Sequence, residues 1–447
     1  MSKKLIHLVK RTTANYTRLL ALLFIPAIAA LFISCDLDVF DPGTVEDVDL
    51  NQPRAIIPLI AGVEGDFAVG TTAAGVPGGI FTAGSMLTDE LVHSGQWVGI
   101  QEWNEAKIDY GTAESQTRWL QGSRARWVAE DAIRRLSNIV DNPESNTYVA
   151  QAAMWAGFAN RVLGDHFCQA VINGGPLEPY SVFHQRGEDY FTQAIEIAGA
   201  AGDEHYLHAA YAGRAQVRMM LGNWTGAVED AGNVPTNFIH VQRHSDNSSR
   251  EHNGLYVQHH EDAQSTVWGT PFAAWGTDTA GLETTEGDPR VVYESHATRL
   301  GGDNRRPLWR VMKYGGRSDD VVIARGTEMR LIEAESALMN NQVGPAVNLI
   351  NEVRDHHGID NVTADNINEA WELLQKERGL ELWLEGRRLP DIRRWAENPG
   401  SVPFEVIREI AFGPASADQP ENVLAVGVEN LCIPVSRNEV LSNPNID

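Results

Sequence analysis

The residues best able to do chemistry lie in one stretch, ERGLELWLEGRRLPDIRRW, Glu377 to Trp395, with four carboxylates and five arginines in nineteen positions. Two carboxylates at a suitable separation can serve as general acid and base on a glycosidic bond. That separation is spatial, and spacing in sequence does not supply it. On a helix, Glu377, Glu381 and Glu385 recur every four residues along one face, with Leu380, Trp383 and Leu384 along another. Three stacked glutamates suit bidentate pairing with arginines of neighbouring helices, a network that fixes register more than it adds stability. A structural role is therefore expected for Glu377, Arg378, Glu381, Glu385, Arg388, Asp391, Arg394 and Trp395.

Other chemistry is sparse. The chain has no nucleophile elbow, phosphate-binding loop, HExxH or CxxC motif. Its densest set of metal-type side chains is His240, His244, His252, His259 and His260, followed by Glu261 and Asp262. The surrounding sequence is loop-like, so solvated or ligand-edge histidines are expected there, with no metal and no cofactor. Of the twelve tryptophans, Trp155, Trp371, Trp383 and Trp395 fall at helical spacings and are expected in the core. Trp97, Trp103, Trp268 and Trp275, with Tyr256, sit in irregular sequence among Gly, Gln, Asn and Thr. Aromatic faces in polar loops grip sugar rings through their apolar C–H faces. These five residues are the ligand-binding candidates.

The elements that must position them are mostly helical. Helical periodicity marks Val128–Val140, the segment NTYVAQAAMWAGFANRVLGDHF, Gly187–Ala200, and a helix–turn–helix from Tyr206 to Pro235 broken at Gly222-Asn223. It resumes over Gly326–Asn340, Pro345–His356 and Asn366–Trp395. Small residues at Ala209, Ala212, Ala215 and Ala227 give the 206–235 pair the look of a tetratricopeptide hairpin, which must stack on neighbours to bury its face. Two blocks, about 65–110 and 236–310, are Gly-rich and aromatic without sustained period, and long loops on a rigid scaffold are where binding usually resides.

Apolar residues form 43% of the 447-residue chain, enough for a sizeable core. The net charge of −24 excludes nucleic acid and anionic headgroups as partners. Residues 1–34 differ from the rest: five Lys and Arg without an acidic residue, then an apolar run from Leu19 to Ile33 ending at Ser34-Cys35. This is a secretory signal of lipoprotein type, with Cys35 the lipidation site and residues 35–50 an acidic tether. Beyond it no apolar run approaches membrane length by eye. Cys168 and Cys432 are read as buried thiols.

With these elements in place, the Glu377–Trp395 stretch resembles the C-terminal signature of the SusD/RagB family, E-R-x-x-E-L-x-x-E-G-x-R-x-x-D-hydrophobic-R-R-W. DPR at 288–290, KY at 313–314, RGTEMRLIEAESALMNN, AVNLINEVRDHHG and the closing CIPVSRNEVLSNPNI are similar to further landmarks of that family, in order. The resemblance implies a mostly α, SusD-like helical fold with tetratricopeptide-like hairpins over about 126–235 and 326–396. It implies a single domain over 51–447 with ligand-binding loops at about 65–110 and 236–310. It also implies a non-enzymatic, surface-exposed, lipid-anchored outer-membrane protein. Such a protein captures oligosaccharides or peptides and delivers them to a SusC-like TonB-dependent transporter. In starch-binding members an aromatic platform follows a T-D-hydrophobic region, a place that Trp97 takes here in MLTDELVHSGQW. A secreted glycoside hydrolase and a helical-repeat, protein-binding scaffold of the cell envelope are the alternatives.

Overall fold

A computed structural model describes residues 46–72, 79–105, 108–397 and 431–446. The expected signal, Cys35 and the tether up to residue 45 lie outside the described residues. From Asn51 onward the chain packs as one compact unit, and it is mostly α. Helices α1 (Ile56–Thr72), α2 (Ile80–Leu87), α3 (Val98–Asn104), α4 (Ala113–Ile139) and α5 (Thr147–His166) come first. Then follow α6 (Ser181–Ala201), α7 (Glu204–Met220) and α8 (Trp224–Gly232). After the irregular block come α9 (Gly326–Met339), α10 (Val343–His356), α11 (Ile367–Glu381) and α12 (Arg388–Glu397), and α13 (Arg437–Ser442) closes the fold.

The centre of the fold is α5. Every residue from Val149 to His166 is buried, polar ones included, as befits a helix covered on all sides. Asn146 caps its start by accepting from Tyr148 N. Its alanines and glycines let neighbours close in. Phe191 of α6 lies between Gly157 of α5 and Gly213 of α7, where an added Cβ would sit 2.6 and 2.2 Å from its ring. Asp203 and Asn223 cap α7 and α8, and Gly202 and Gly222 take the left-handed turns between helices (φ +70° and +74°). A second core lies between α9, α10 and α11, with Trp371 and Trp395 at its heart.

The expected boundaries hold for α5, α9 and α10, α6 begins at Ser181 ahead of the expected Gly187, and three larger departures stand out. First, α4 begins fifteen residues before Val128, because Thr112 caps it and its early arginines are drawn inward: Arg118 and Arg126 are buried. Second, the 65–110 block is not a loop, since α1, α2 and α3 run through it. The stretch Pro53–Thr72 is even long and apolar enough to cross a membrane, but half of it is buried, as in a core helix. Third, the helical pattern over Asn366–Trp395 is two helices, and the first stops at Glu381. Leu384 and Gly386 take left-handed conformations (φ +58° and +69°), and α12 restarts at Arg388.

Despite that break, the three glutamates converge. Arg290 reaches both Glu377 and Glu381, and Arg325 reaches both Glu381 and Glu385. His357 Nε2 lies 2.8 Å from Glu381, Arg354 donates to Glu377 at 3.0 Å and Lys313 to Glu385 at 2.8 Å. The arginines of the signature work outward. Arg378 holds Asp391 with two bonds of 2.7 and 2.8 Å, and Arg394 bridges Asp391 and Glu335. Arg387 spans Glu328 of α9 and Asp165 of α5, and Arg388 clasps Asp89 with two 2.7 Å bonds. Trp395 Nε1 donates to Glu335 at 2.8 Å. The carboxylates are all buried while Arg290, Lys313, Arg325, Arg354 and His357 keep partial exposure, and the network joins segments around 89, 165, 290, 313, 325–335, 354–357 and 377–395.

Cys168 and Cys432 are a disulfide, not a pair of thiols, with Cα atoms 5.1 Å apart across 264 residues of sequence. Cys168 N donates to Ile433 O, and Ile433 N to His166 O, so the last described segment is docked on the end of α5 beside the bond.

Four outcomes follow for stability. Asp391→Ala leaves Arg378 and Arg394 buried without a shared carboxylate and is expected to lower the unfolding free energy by about 3–5 kcal/mol in denaturant titrations. The half-exposed Lys376–Glu286 pair should be worth less than about 1 kcal/mol by the same measurement. Burial pushes the pKa of Glu381 up, but His357, Arg325 and Arg290 outweigh it and hold the net value well below the ordinary 4.5. Its contribution is therefore complete above about pH 4.5 and lost as pH falls below it, which Glu381→Gln should abolish. Reducing Cys168–Cys432 should cost about 2–5 kcal/mol, and a non-reduced tryptic map lacking that cross-linked peptide would refute the bond.

Candidate functional site

The two irregular sequence blocks meet in a short antiparallel pair. Strand β1 (Val92–His93) pairs with a strand of the second block (Ser265–Thr266), Val92 opposite Thr266 and His93 opposite Ser265. Ser94 N continues the ladder to Gln264 O. A third segment, the 300–307 hairpin, is fastened to the same edge. Asp303 N donates to Ser94 O at 2.9 Å, Arg306 to His93 O at 2.8 Å, and Gln96 Nε2 to Gly302 O at 2.9 Å. Thr266 is the hinge of this corner: its hydroxyl donates to Pro307 O and accepts from the backbone of Trp268 and Trp309.

Trp97 stands at the end of this clamp, at the residue before α3, with 43% of its surface exposed between exposed Gln96 and Val98. Its backbone is fixed on both sides, by β1 and by the first turn of α3, while its ring is open. Asn304 and Arg305 are exposed on the adjoining hairpin. His93 beneath is kept neutral: burial, with the charge of Arg306 added, lowers its pKa to about 4. The corner thus offers an aromatic face, amides and a guanidinium on a rigid base.

The other four candidates do not share this exposure. Trp103 is fully buried in α3, and the Arg118 guanidinium covers its ring at 3.8 Å. It is a core residue, a correction to its grouping with Trp97. Trp268 is half-buried and tied to Trp97's corner through Thr266. Trp275 is half-buried elsewhere, edge-on to Phe272 and beneath Lys376 at 5.3 Å, beside a cleft of about 150 Å³ under α11. Tyr256 stacks on His260 at 4.9 Å. Trp309, half-buried and stacked on Tyr293 at 5.5 Å, belongs to the Thr266 corner and was missed. Its position in RRPLWR, one residue before the resumed strand pattern, gave no composition signal.

The five histidines of the 240–260 run do not converge. His240 is buried among Trp155, Phe158 and Tyr206 and lies 3.0 Å from His205. His259 sits between Thr82 and Ser265, and His260 Nδ1 pairs with Val311 O. Among the described residues no group of three His, Cys, Asp or Glu has metal-binding geometry. Each of the eight signature residues is buried and bonded within the network.

Comparison with known proteins agrees with this architecture. Residues 308–446 match the SusD family model. A SusD-like protein of Bacteroides fragilis superposes with a TM-score of 0.65 at 12% identity, covering 90% of this chain and 98% of that one. A SusD-like carbohydrate-binding protein of Bacteroides vulgatus gives 0.61 at 16% identity, over 88% and 97%. Surface glycan-binding protein A of Bacteroides uniformis gives 0.62 at 14%, over 88% and 98%. No curated protein matches the chain in sequence. The C-terminal third matches the SusD family's sequence model, and the described fold is that of solved SusD-like proteins.

Proposed function

We propose that this protein is a surface-exposed outer-membrane lipoprotein that captures oligosaccharides and hands them to a SusC-like TonB-dependent transporter. The observation that carries the reading is Trp97: an exposed indole on a backbone clamped by β1, α3 and the 300–307 hairpin, with exposed Gln96 next to it in the chain. A rigid aromatic face stacks on the C–H face of a pyranose with little ordering cost, and Gln96 and Asn304 can bond its hydroxyls. Trp268 and Trp309 extend the platform towards Thr266. The stacked helical hairpins, of tetratricopeptide type, form the scaffold that presents it.

Two features support export and capture over chemistry. The disulfide suits an oxidising compartment. The carboxylates dense enough to suggest hydrolysis are buried and ion-paired, which leaves them no reach to substrate. Lipid attachment at Cys35 would tether the protein over the transporter, and a lid motion about that tether would release ligand inward.

The test is affinity electrophoresis against a polysaccharide panel. The wild-type protein should be retarded by at least one glycan, and Trp97→Ala should weaken that binding by roughly 10-fold or more, consistent with ~1–3 kcal/mol for one stacking face. Equal retardation of both proteins would remove Trp97 from the site. No reducing ends should be released from the bound glycan; turnover would identify a hydrolase instead.

A further inference from the structure

One buried carboxylate stands apart from the network. Every other buried aspartate and glutamate among the described residues has an arginine or lysine within ion-pairing distance. Glu90, 1% exposed, has only neutral donors: Leu384 N reaches Oε1 at 2.7 Å and Ser85 Oγ reaches Oε2 at 2.8 Å. Arg388, the nearest guanidinium in its field, is committed to Asp89 by two bonds, and Asp89 itself adds repulsion. From the 313–314 segment Lys313 is held by Glu385 and Trp383 O, and the Tyr314 hydroxyl by Leu384 O.

The position of Glu90 gives this chemistry a consequence. It lies two residues before β1 and seven before Trp97, and its partner Leu384 is a non-glycine residue in the left-handed region, at the break between α11 and α12. Asp89–Arg388 and Glu90–Leu384 together fasten the Trp97 segment to the charge network. We propose that Glu90 is a proton-operated latch on the Trp97 platform, sealing its junction with the Leu384 turn when protonated and loosening it when ionised.

The direction follows from solvation. Burial raises the Glu90 pKa from 4.5 to about 7, against the bonds from Leu384 and Ser85. Protonated, the acid can donate to Ser85 Oγ while Oε1 still accepts from Leu384, and no bare charge is buried. Ionised, the carboxylate has no ion-paired cation, the fields of Arg388 and Lys313 offset only part of its lost hydration, and opening to water relieves it. Stability from the protonated form is thus full below about pH 4.5 and is lost as pH rises through about 7.

Hydrogen exchange read by mass spectrometry, corrected for intrinsic rates, tests the latch without a ligand. In the wild-type protein, opening of peptides covering 85–93 and 382–387 should rise by up to about tenfold per pH unit between pH 5 and 7 and level off above. Glu90→Gln should be flat over the same range. Equal slopes in both proteins would overturn the latch. Should the variant not fold, a carboxyl ¹³C titration of glutamate-labelled wild-type protein decides: no carboxyl titrating near pH 7 overturns it too. The link to capture rests on the proposed role of Trp97, and glycan affinity should weaken over the same pH window. A pH-dependent latch with pH-independent affinity would remove Trp97's role and leave the latch standing.

Discussion

The fold depends on the burial of charge. Arginines and carboxylates of the Glu377–Trp395 segment are taken out of water together, and each is affordable only while its partner is in place. Arg387 cannot keep Glu328 and Asp165 unless α9 and α5 lie at one spacing, and Arg388 cannot keep Asp89 unless the segment before β1 comes to meet it. A purely apolar core would tolerate sliding of these helices by a fraction of a turn. Bidentate bonds do not, since a shift of an ångström breaks them. The network therefore sets where the helices sit, and the apolar residues fill the space so defined.

The Trp97 corner inherits its precision from that frame. Three segments distant in sequence, around residues 93, 265 and 303, meet through backbone bonds only two or three deep. Such a ladder is too short to hold itself. It is held because Asp89 and Glu90, just upstream, are anchored in the network. The geometry of this corner is thus a property of charge pairs buried beneath it.

Much of this was legible in sequence where a pattern had one physical cause. The helices α5, α9 and α10 announce themselves by apolar period, and the spacing of the glutamate ladder suggested pairing with arginines of neighbouring elements. The start of α4 was hidden because Arg118 and Arg126 point inward, so that charge disguised a buried face. The helices within 65–110 were hidden by glycines, whose low propensity is overridden by burial, as at Gly84 against His166. Glu385 reached its partners through a break at Leu384 that no propensity scale favours. Of the aromatic candidates, composition grouped exposed Trp97 with buried Trp103, since residues six apart can lie on opposite sides of one short helix. Cysteine spacing is silent on pairing across 264 residues.

That pairing has a topological consequence. Once Cys168 and Cys432 are joined, residues 168–432 are a closed covalent ring. A ring cannot be drawn through a narrow channel as a single strand. Any membrane crossed before oxidation can be crossed unfolded, whereas any crossed afterwards must admit the folded body or wait for the bond to be reduced. The bond thereby divides the protein's itinerary into a threading stage and a folded stage.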